Sequence, residues 1–305
     1  LEARTGGADS EPWTLFVSLL RPHYPLTCPP QFYELYDPAT LPERRFAGAS
    51  TEFAHPVLGA FRSYYDYDDA FTDETRQVAR ASYYGLCSFV DHVVGNLLGT
   101  LENAGALDDT TIIFTSDHGE LNGEHGLWTK MTMHEESVTV PLIITGPGIS
   151  ADTVDAPVSL VDVYPTVAEL IGFDDEGGPD HDGRSLLATA RDPDHERCVF
   201  SEYHDSGAIT GFFMARMGCW KYIHYPGFAP QLFDIEADPH ETNDLGLDES
   251  YAAVRANCLA RMCAELGDPD VLNDDVFAAQ AAVIEKLGGV DAVMRTPGFD
   301  FTPVE

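Results

Sequence analysis

Basic residues are scarce in this chain of 305 residues: 17 Lys and Arg stand against 51 Asp and Glu, a formal net charge of −34. Acidic blocks such as DDEGGPDHDG (174–183) lie well inside the chain, so the surplus reads as a property of the surface rather than of a tail. A field of that sign repels nucleic acid and anionic membranes, and neither is expected as a partner. Self-repulsion of this size is relieved by salt, so the expected setting is the cytoplasm of a halophilic organism. Long apolar runs are also lacking; none approaches the roughly 20 residues that a membrane-spanning helix needs. The six cysteines (28, 87, 198, 219, 258 and 263) contain no Cys-x-x-Cys, which argues against a zinc ribbon or a dithiol redox site. Buried free thiols in a reducing compartment are the expected reading. The opening LEARTGGADS has neither the apolar core of a signal peptide nor the character of a transit sequence.

What is present is a packed globular sequence, with 44% hydrophobic residues distributed along its length. WTLFVSLL (13–20), TTIIFTS (110–116) and VPLIITGP (140–147) have the continuous apolar character of buried strands. The spacing predicts a long helix over 73–105 that Gly105 stops, and a shorter one over 162–173 with Pro165 in its first turn. Buried strands alternating with helices indicate an α/β fold with a mostly parallel central sheet. From about residue 198, CVFSEYH, GFFMARMGCWKYIHY and PQLFDIEADP read as short alternating strands of a small antiparallel sheet. After about residue 250 the pattern is helical again. Three parts are therefore expected: a core over 1–190, a small sheet subdomain over 191–246 and a helical tail over 247–305.

The chemistry concentrates where two of the apolar runs end. RPHYP (21–25) and SDHG (116–119) both follow predicted strands, and in such sheets ligands bind beyond the carboxyl ends of the strands. An adjacent Asp and His suit a shared divalent cation, the carboxylate favouring a hard ion and the imidazole widening the choice. Lys130, 13 positions after Asp117, would add a fixed positive charge for an oxyanion. The chemistry suggested is metal-assisted hydrolysis of a tetrahedral oxyester, phosphate or sulfate.

SDHGELNGEHGLWTK resembles the second signature region of the sulfatases, members of the alkaline-phosphatase-like superfamily. WTLFVSLLRPHYPLTCPP is similar to that family's strand and Pro-His loop, and VTVPLIITGPGI and VSLVDVYPTVAELIG to stretches that follow its lysine. The segment from SEYHDSG to HETNDLG is similar to the C-terminal subdomain, most closely that of choline-sulfatase-like enzymes, and FDFTP (299–303) echoes their chain-end pattern. The resemblance covers roughly residues 12–245, with a weaker echo in the tail. It implies an alkaline-phosphatase-like sandwich and the hydrolysis of sulfate esters. It further implies that Asp117 and His118 bind one divalent cation, calcium being expected and manganese or magnesium the alternatives. Lys130 and His23 would contact the sulfate, with His23 assisting proton transfer to the leaving oxygen. His125 reads as structural. The implied substrate is a small sulfated molecule, choline sulfate or a sulfated sugar, and Tyr203, Asp205, Trp220 and Tyr222 are candidates for lining its pocket. The tail is expected to pack on a neighbouring subunit in a homo-oligomer.

The family's nucleophile is a formylglycine made in a Cys-x-Pro-x-Arg context, and that context is missing. Cys28-Pro29-Pro30 imitates its first half, but Phe32 stands where arginine belongs, and Cys28 follows the Pro-His loop instead of preceding it. The expectation is a C-terminal portion of a longer enzyme, with the formylglycine in a segment N-terminal to these residues and no turnover by the isolated chain. Two alternatives compete: a phosphate or phosphonate ester hydrolase of the same superfamily, and a non-catalytic scaffold that keeps the fold.

Overall fold

The structure, a computed structural model, describes residues 13–42, 55–67, 71–173 and 181–295. The FDFTP pattern and most of the 174–183 acidic block lie outside them. The chain divides into two compact units, Leu1–Asp155 and Ala156–Glu305.

In the first unit, helix α1 (Pro30–Tyr33) lies along α3 (Asp73–Asn103). Thr72 caps α3 with a reciprocal Thr72–Thr75 capping box, and Asp73 and Glu74 place acidic charge at its positive end. Gly85 lets α1 approach, because a Cβ there would come within 2.7 Å of the Cys28 sulfur and 2.9 Å of the Phe32 carbonyl. Tyr36 and Ser88 join the same face through a hydroxyl contact of 2.8 Å. Helix α2 (Pro56–Tyr64) buries Val57, Leu58 and Phe61. Strands β1 (Ile112–Thr115) and β2 (Leu142–Thr145) pair antiparallel, Thr115 opposite Leu142. Alternating buried runs suggested parallel neighbours, but apolar content does not record pairing direction. The connection between β1 and β2 instead carries the site loop and the short helix α4 (Glu135–Val138).

The predicted strand over 13–20 is not one here. Residues 13–20 join no sheet among the described residues, and Leu15, Phe16 and Leu20 are 52%, 88% and 75% exposed. A strand is defined by hydrogen bonds to a neighbour, and these residues have the composition of one without such a neighbour.

The second unit holds a four-stranded antiparallel meander, β3 (Cys198–Tyr203), β4 (Phe212–Met217), β5 (Trp220–His224) and β6 (Gln231–Asp234), in that spatial order. Phe213, Ala215, Tyr222 and Leu232 project from the sheet onto Cys258 and Met262, which come from a helix over Ala252–Glu265. Trp220 packs against this cluster as well. Trp220 and Tyr222 therefore serve the core, and Tyr203 spends its hydroxyl on the Ser206 carbonyl at 2.9 Å. The alternate residue Lys221 is fully buried in an ion pair with Glu241 at 2.8 Å. Upstream, helix α5 (Val163–Ile171) starts beside Asp162, whose carboxylate receives both arms of the Arg197 guanidinium at 2.7 Å. A helix over Leu186–Arg191 precedes the sheet, and helices over Pro269–Lys286 and Val290–Arg295 complete the tail.

Candidate active site

The loop after residue 20 is shaped from within. The Arg21 guanidinium donates to the carbonyls of His23 (2.9 Å) and Pro25 (2.5 Å) and to the Thr27 hydroxyl (3.1 Å). The His23 N–H returns to the Leu20 carbonyl at 3.1 Å. These bonds close a tight turn that projects the His23 ring. Its Nδ1 meets the Tyr24 carbonyl at 2.8 Å, and because a carbonyl only accepts, Nδ1 carries the hydrogen. Nε2 is then a bare lone pair, and it receives the Lys130 ammonium at 2.8 Å. Lys130 also lies 5.7 Å from the centre of the Tyr24 ring, within cation–π range.

The second loop begins where β1 ends. Ser116 donates its hydroxyl to the His118 carbonyl at 3.0 Å, and the His118 N–H donates to Asp117 Oδ1 at 3.1 Å. His118 Nδ1 meets the Gly119 carbonyl at 2.7 Å, which again assigns its hydrogen to Nδ1. Its Nε2 lone pair faces Asp117 Oδ2 at 3.6 Å. Two acceptors turned toward each other, one of them an imidazole whose other nitrogen is bonded to a carbonyl, fit the donor set of a shared divalent cation. Gly119 is required here: its N–H donates to the Ser137 carbonyl at 2.7 Å, and a Cβ would collide with the Glu136 carbonyl.

The two loops meet. The His23 and His118 rings are 5.9 Å apart, edge to face. His23, Asp117, His118 and Lys130, expected from two separate motifs, thus lie in one neighbourhood, with the Lys130–His23 hydrogen bond on one side and two acceptors, Asp117 and His118, on the other. His125 sits apart from it, stacked on His134 at 3.8 Å and 3.4 Å from Glu136. Cys28 is half-buried, and burial raises its thiol pKa while Arg21 lowers it in part, so the thiolate a nucleophile needs is disfavoured.

Two residues of the site were not singled out from sequence. Arg21 adjoins the Pro-His pair, and its scarcity value in an acidic chain was the available signal. Glu120 follows the SDHG run directly. Its Oε1 accepts the N–H groups of Asn122 (3.0 Å) and Thr129 (2.6 Å). Desolvation raises the Glu120 pKa, and those two N–H groups, with His118 and Lys130 nearby, offset part of the shift.

A sequence model of the sulfatase family matches residues 3–173, and one for the C-terminal region of N-sulphoglucosamine sulphohydrolase matches 123–266. The chain belongs to the sulfatase family. This sulfatase-family chain is 36% identical over 236 residues to a choline-sulfatase of Rhizobium meliloti (strain 1021), covering 77% of itself and 46% of that protein. It superimposes on the phosphonate monoester hydrolase of Agrobacterium radiobacter with a TM-score of 0.73 at 30% identity, over 84% of itself and 57% of that chain. A further match, TM-score 0.59 at 27% identity over 68% of this chain and 46% of the other, is a protein solved with its substrate D-glucosamine-2-N,6-O-disulfate. The chain therefore spans about half the length of each of these relatives. Their alkaline-phosphatase-like architecture is the one its sequence predicts.

Proposed function

We propose that the complete enzyme hydrolyses sulfate esters and that His23, Lys130, Asp117 and His118 form one wall of its active site. The observation that carries this reading is the 2.8 Å contact between Lys130 Nζ and His23 Nε2, made across 107 residues of sequence. In a chain this acidic, a lysine placed on a neutral imidazole instead of a carboxylate keeps its charge available for an incoming anion. Lys130 would donate to a sulfate oxygen and stabilise charge as the ester bond breaks. Once the Lys130 ammonium turns to the anion, His23, its Nδ1–H fixed on the Tyr24 carbonyl, would take up a proton from solvent at Nε2 and pass it to the leaving oxygen. A divalent cation, calcium with manganese or magnesium as alternatives, would be held by Asp117 and His118 and would supply Lewis-acid charge at the sulfate. The nucleophile, a formylglycine, is proposed to lie in sequence outside these 305 residues. No Cys-x-Pro-x-Arg occurs within them, and the isolated chain is expected to give no turnover.

Choline sulfate and a sulfated sugar are the proposed substrates, in line with the choline-sulfatase and the disulfated glucosamine complex among the relatives. The 30% identity to a phosphonate monoester hydrolase favours a second reading, since the same cation, lysine and histidine would serve a phosphonate ester.

The test is a full-length enzyme assayed with p-nitrophenyl sulfate, choline sulfate and phenyl phosphonate esters. Lys130→Ala should lower kcat/KM for the sulfate ester by about 10²–10³-fold with the circular dichroism spectrum unchanged. Wild-type turnover in that variant would remove Lys130 from the site, and faster turnover of the phosphonate would select the second reading. Asp117→Ala should lower bound divalent metal, measured by mass spectrometry of the desalted protein. Full occupancy would end its assignment as a ligand.

A further inference from the structure

Lys130 follows a backbone position that a threonine rarely takes. Thr129 has φ of +69°, and a β-branched residue in the left-handed region is a steric outlier that persists only where its surroundings overdetermine it. Those surroundings are on hand. The Thr129 N–H donates to Glu120 Oε1 at 2.6 Å, a short charge-assisted bond, and the Thr129 carbonyl accepts the Leu121 N–H at 2.7 Å. On either side, the Trp128 carbonyl accepts the Tyr67 hydroxyl at 3.1 Å, and the Lys130 carbonyl accepts the Ser137 hydroxyl. The same Glu120 oxygen takes the Asn122 N–H at 3.0 Å, so one carboxylate ties the beginning of the 120–130 loop to its end.

A lysine at a sharp turn points where the preceding residue's dihedrals send it. Relaxing Thr129 to an ordinary negative φ would rotate the chain at Lys130 and swing Nζ away from His23. The geometry points to Glu120 as a positioning residue: its carboxylate holds Thr129 in the left-handed conformation that aims Lys130 at His23. This rests on the reading of Lys130 and His23 as the anion-binding pair. Glu120 acts through the backbone, since its Oε1 is committed to two N–H groups.

The chain has only three lysines, Lys130, Lys221 and Lys286, so selective lysine labelling gives an NMR spectrum in which each ε-methylene is assigned by substitution. In the 305-residue chain, His23→Ala defines the shift of the Lys130 signal when its partner is lost. Glu120→Ala should reproduce that shift and leave Lys221 and Lys286 in place. Glu120→Gln, which keeps a side-chain oxygen for the two N–H groups, should leave Lys130 near its wild-type position. Thr129→Gly in the Glu120→Ala background should return the signal part of the way toward wild type, because glycine enters the left-handed region without the steric cost that threonine bears. In the complete enzyme the same series should lower kcat about 10²-fold in Glu120→Ala and recover part of it in the double variant. A Lys130 signal at its wild-type position in Glu120→Ala overturns the proposal. So does a double variant whose signal stays with Glu120→Ala, which also covers the case in which the single variant does not fold. Wild-type turnover in Lys130→Ala would instead defeat the functional reading, while the NMR series would still decide the positioning.

Discussion

At the scale of single residues, an arginine near a proposed anion site invites a direct role, and the geometry of Arg21 assigns it another. An arginine two positions before His23, in a chain with 17 basic residues, reads naturally as a third cationic ligand for the sulfate. Its guanidinium is spent on its own loop, on two carbonyls and one hydroxyl, and one of those carbonyls belongs to His23. Only a planar fork reaches all three at once; a lysine offers a point charge instead. Arg21→Lys is therefore expected to lower kcat about tenfold or more through misorientation of His23, with KM and inhibition by free sulfate unchanged. Steady-state kinetics with sulfate as competitive inhibitor separate the roles. If inhibition weakens in step with a rise in KM, Arg21 touches the anion and the positioning assignment is wrong.

At the scale of elements, the second unit depends on a buried ion pair that ties three segments together. Asp162 is fully buried and accepts four hydrogen bonds: two from Arg197 at 2.7 Å, one from the Arg184 N–H at 2.8 Å and one from the Ser159 N–H at 2.9 Å. Burial pushes its pKa up, but the Arg197 bonds and the two backbone N–H groups outweigh it, and the net shift is downward. A depressed carboxyl stabilises the fold above its unfolded value of about 3.9, and that stability is lost as pH falls through the folded pKa. Asp162→Asn is expected to cost about 3–5 kcal/mol, because Arg197 is left buried without a countercharge. It should also flatten the acid limb of stability, read from urea melts between about pH 2 and pH 5. An unchanged acid limb would move the linkage to other carboxylates. None of this was legible from sequence, where Asp162 is one of 51 acidic residues. The long helix was legible, predicted over 73–105 and found over Asp73–Asn103, because its apolar period persists and Gly105 follows its end. The four strands of the meander were legible from their alternation and turns. Residues 13–20 were misread because apolar composition specifies a strand's surface and not the presence of its neighbour. The candidate site was legible as residue types at loop positions, and two of its residues, His23 and Lys130, lie in hydrogen-bond contact. What held them there was hidden, since Glu120 and Thr129 act through backbone bonds that no motif displays.

At the scale of the whole molecule, the net charge of −34 is the property from which a setting is proposed. Among the described residues no helix is long and apolar enough to cross a membrane. The proposed setting, a salt-rich cytoplasm, rests on the charge alone. Repulsion among exposed carboxylates acts over a Debye length of about 10 Å at 0.1 M salt and about 3 Å at 1 M, so most of it should vanish between those concentrations. Buried pairs such as Asp162–Arg197 and Lys221–Glu241 are shielded from that screening and should hold at either concentration. The melting temperature is therefore expected to climb steeply with potassium chloride up to about 1 M and then level off. A screening gain of a few kcal/mol would appear as roughly 5–10 °C. Sucrose stabilises by exclusion from the surface without screening, so it should raise the melting temperature without reproducing the early steep rise. Differential scanning calorimetry in the two series distinguishes the effects. A melting temperature that responds equally to both would mean that self-repulsion does not limit stability, and the acidic surface would then need an explanation other than salt.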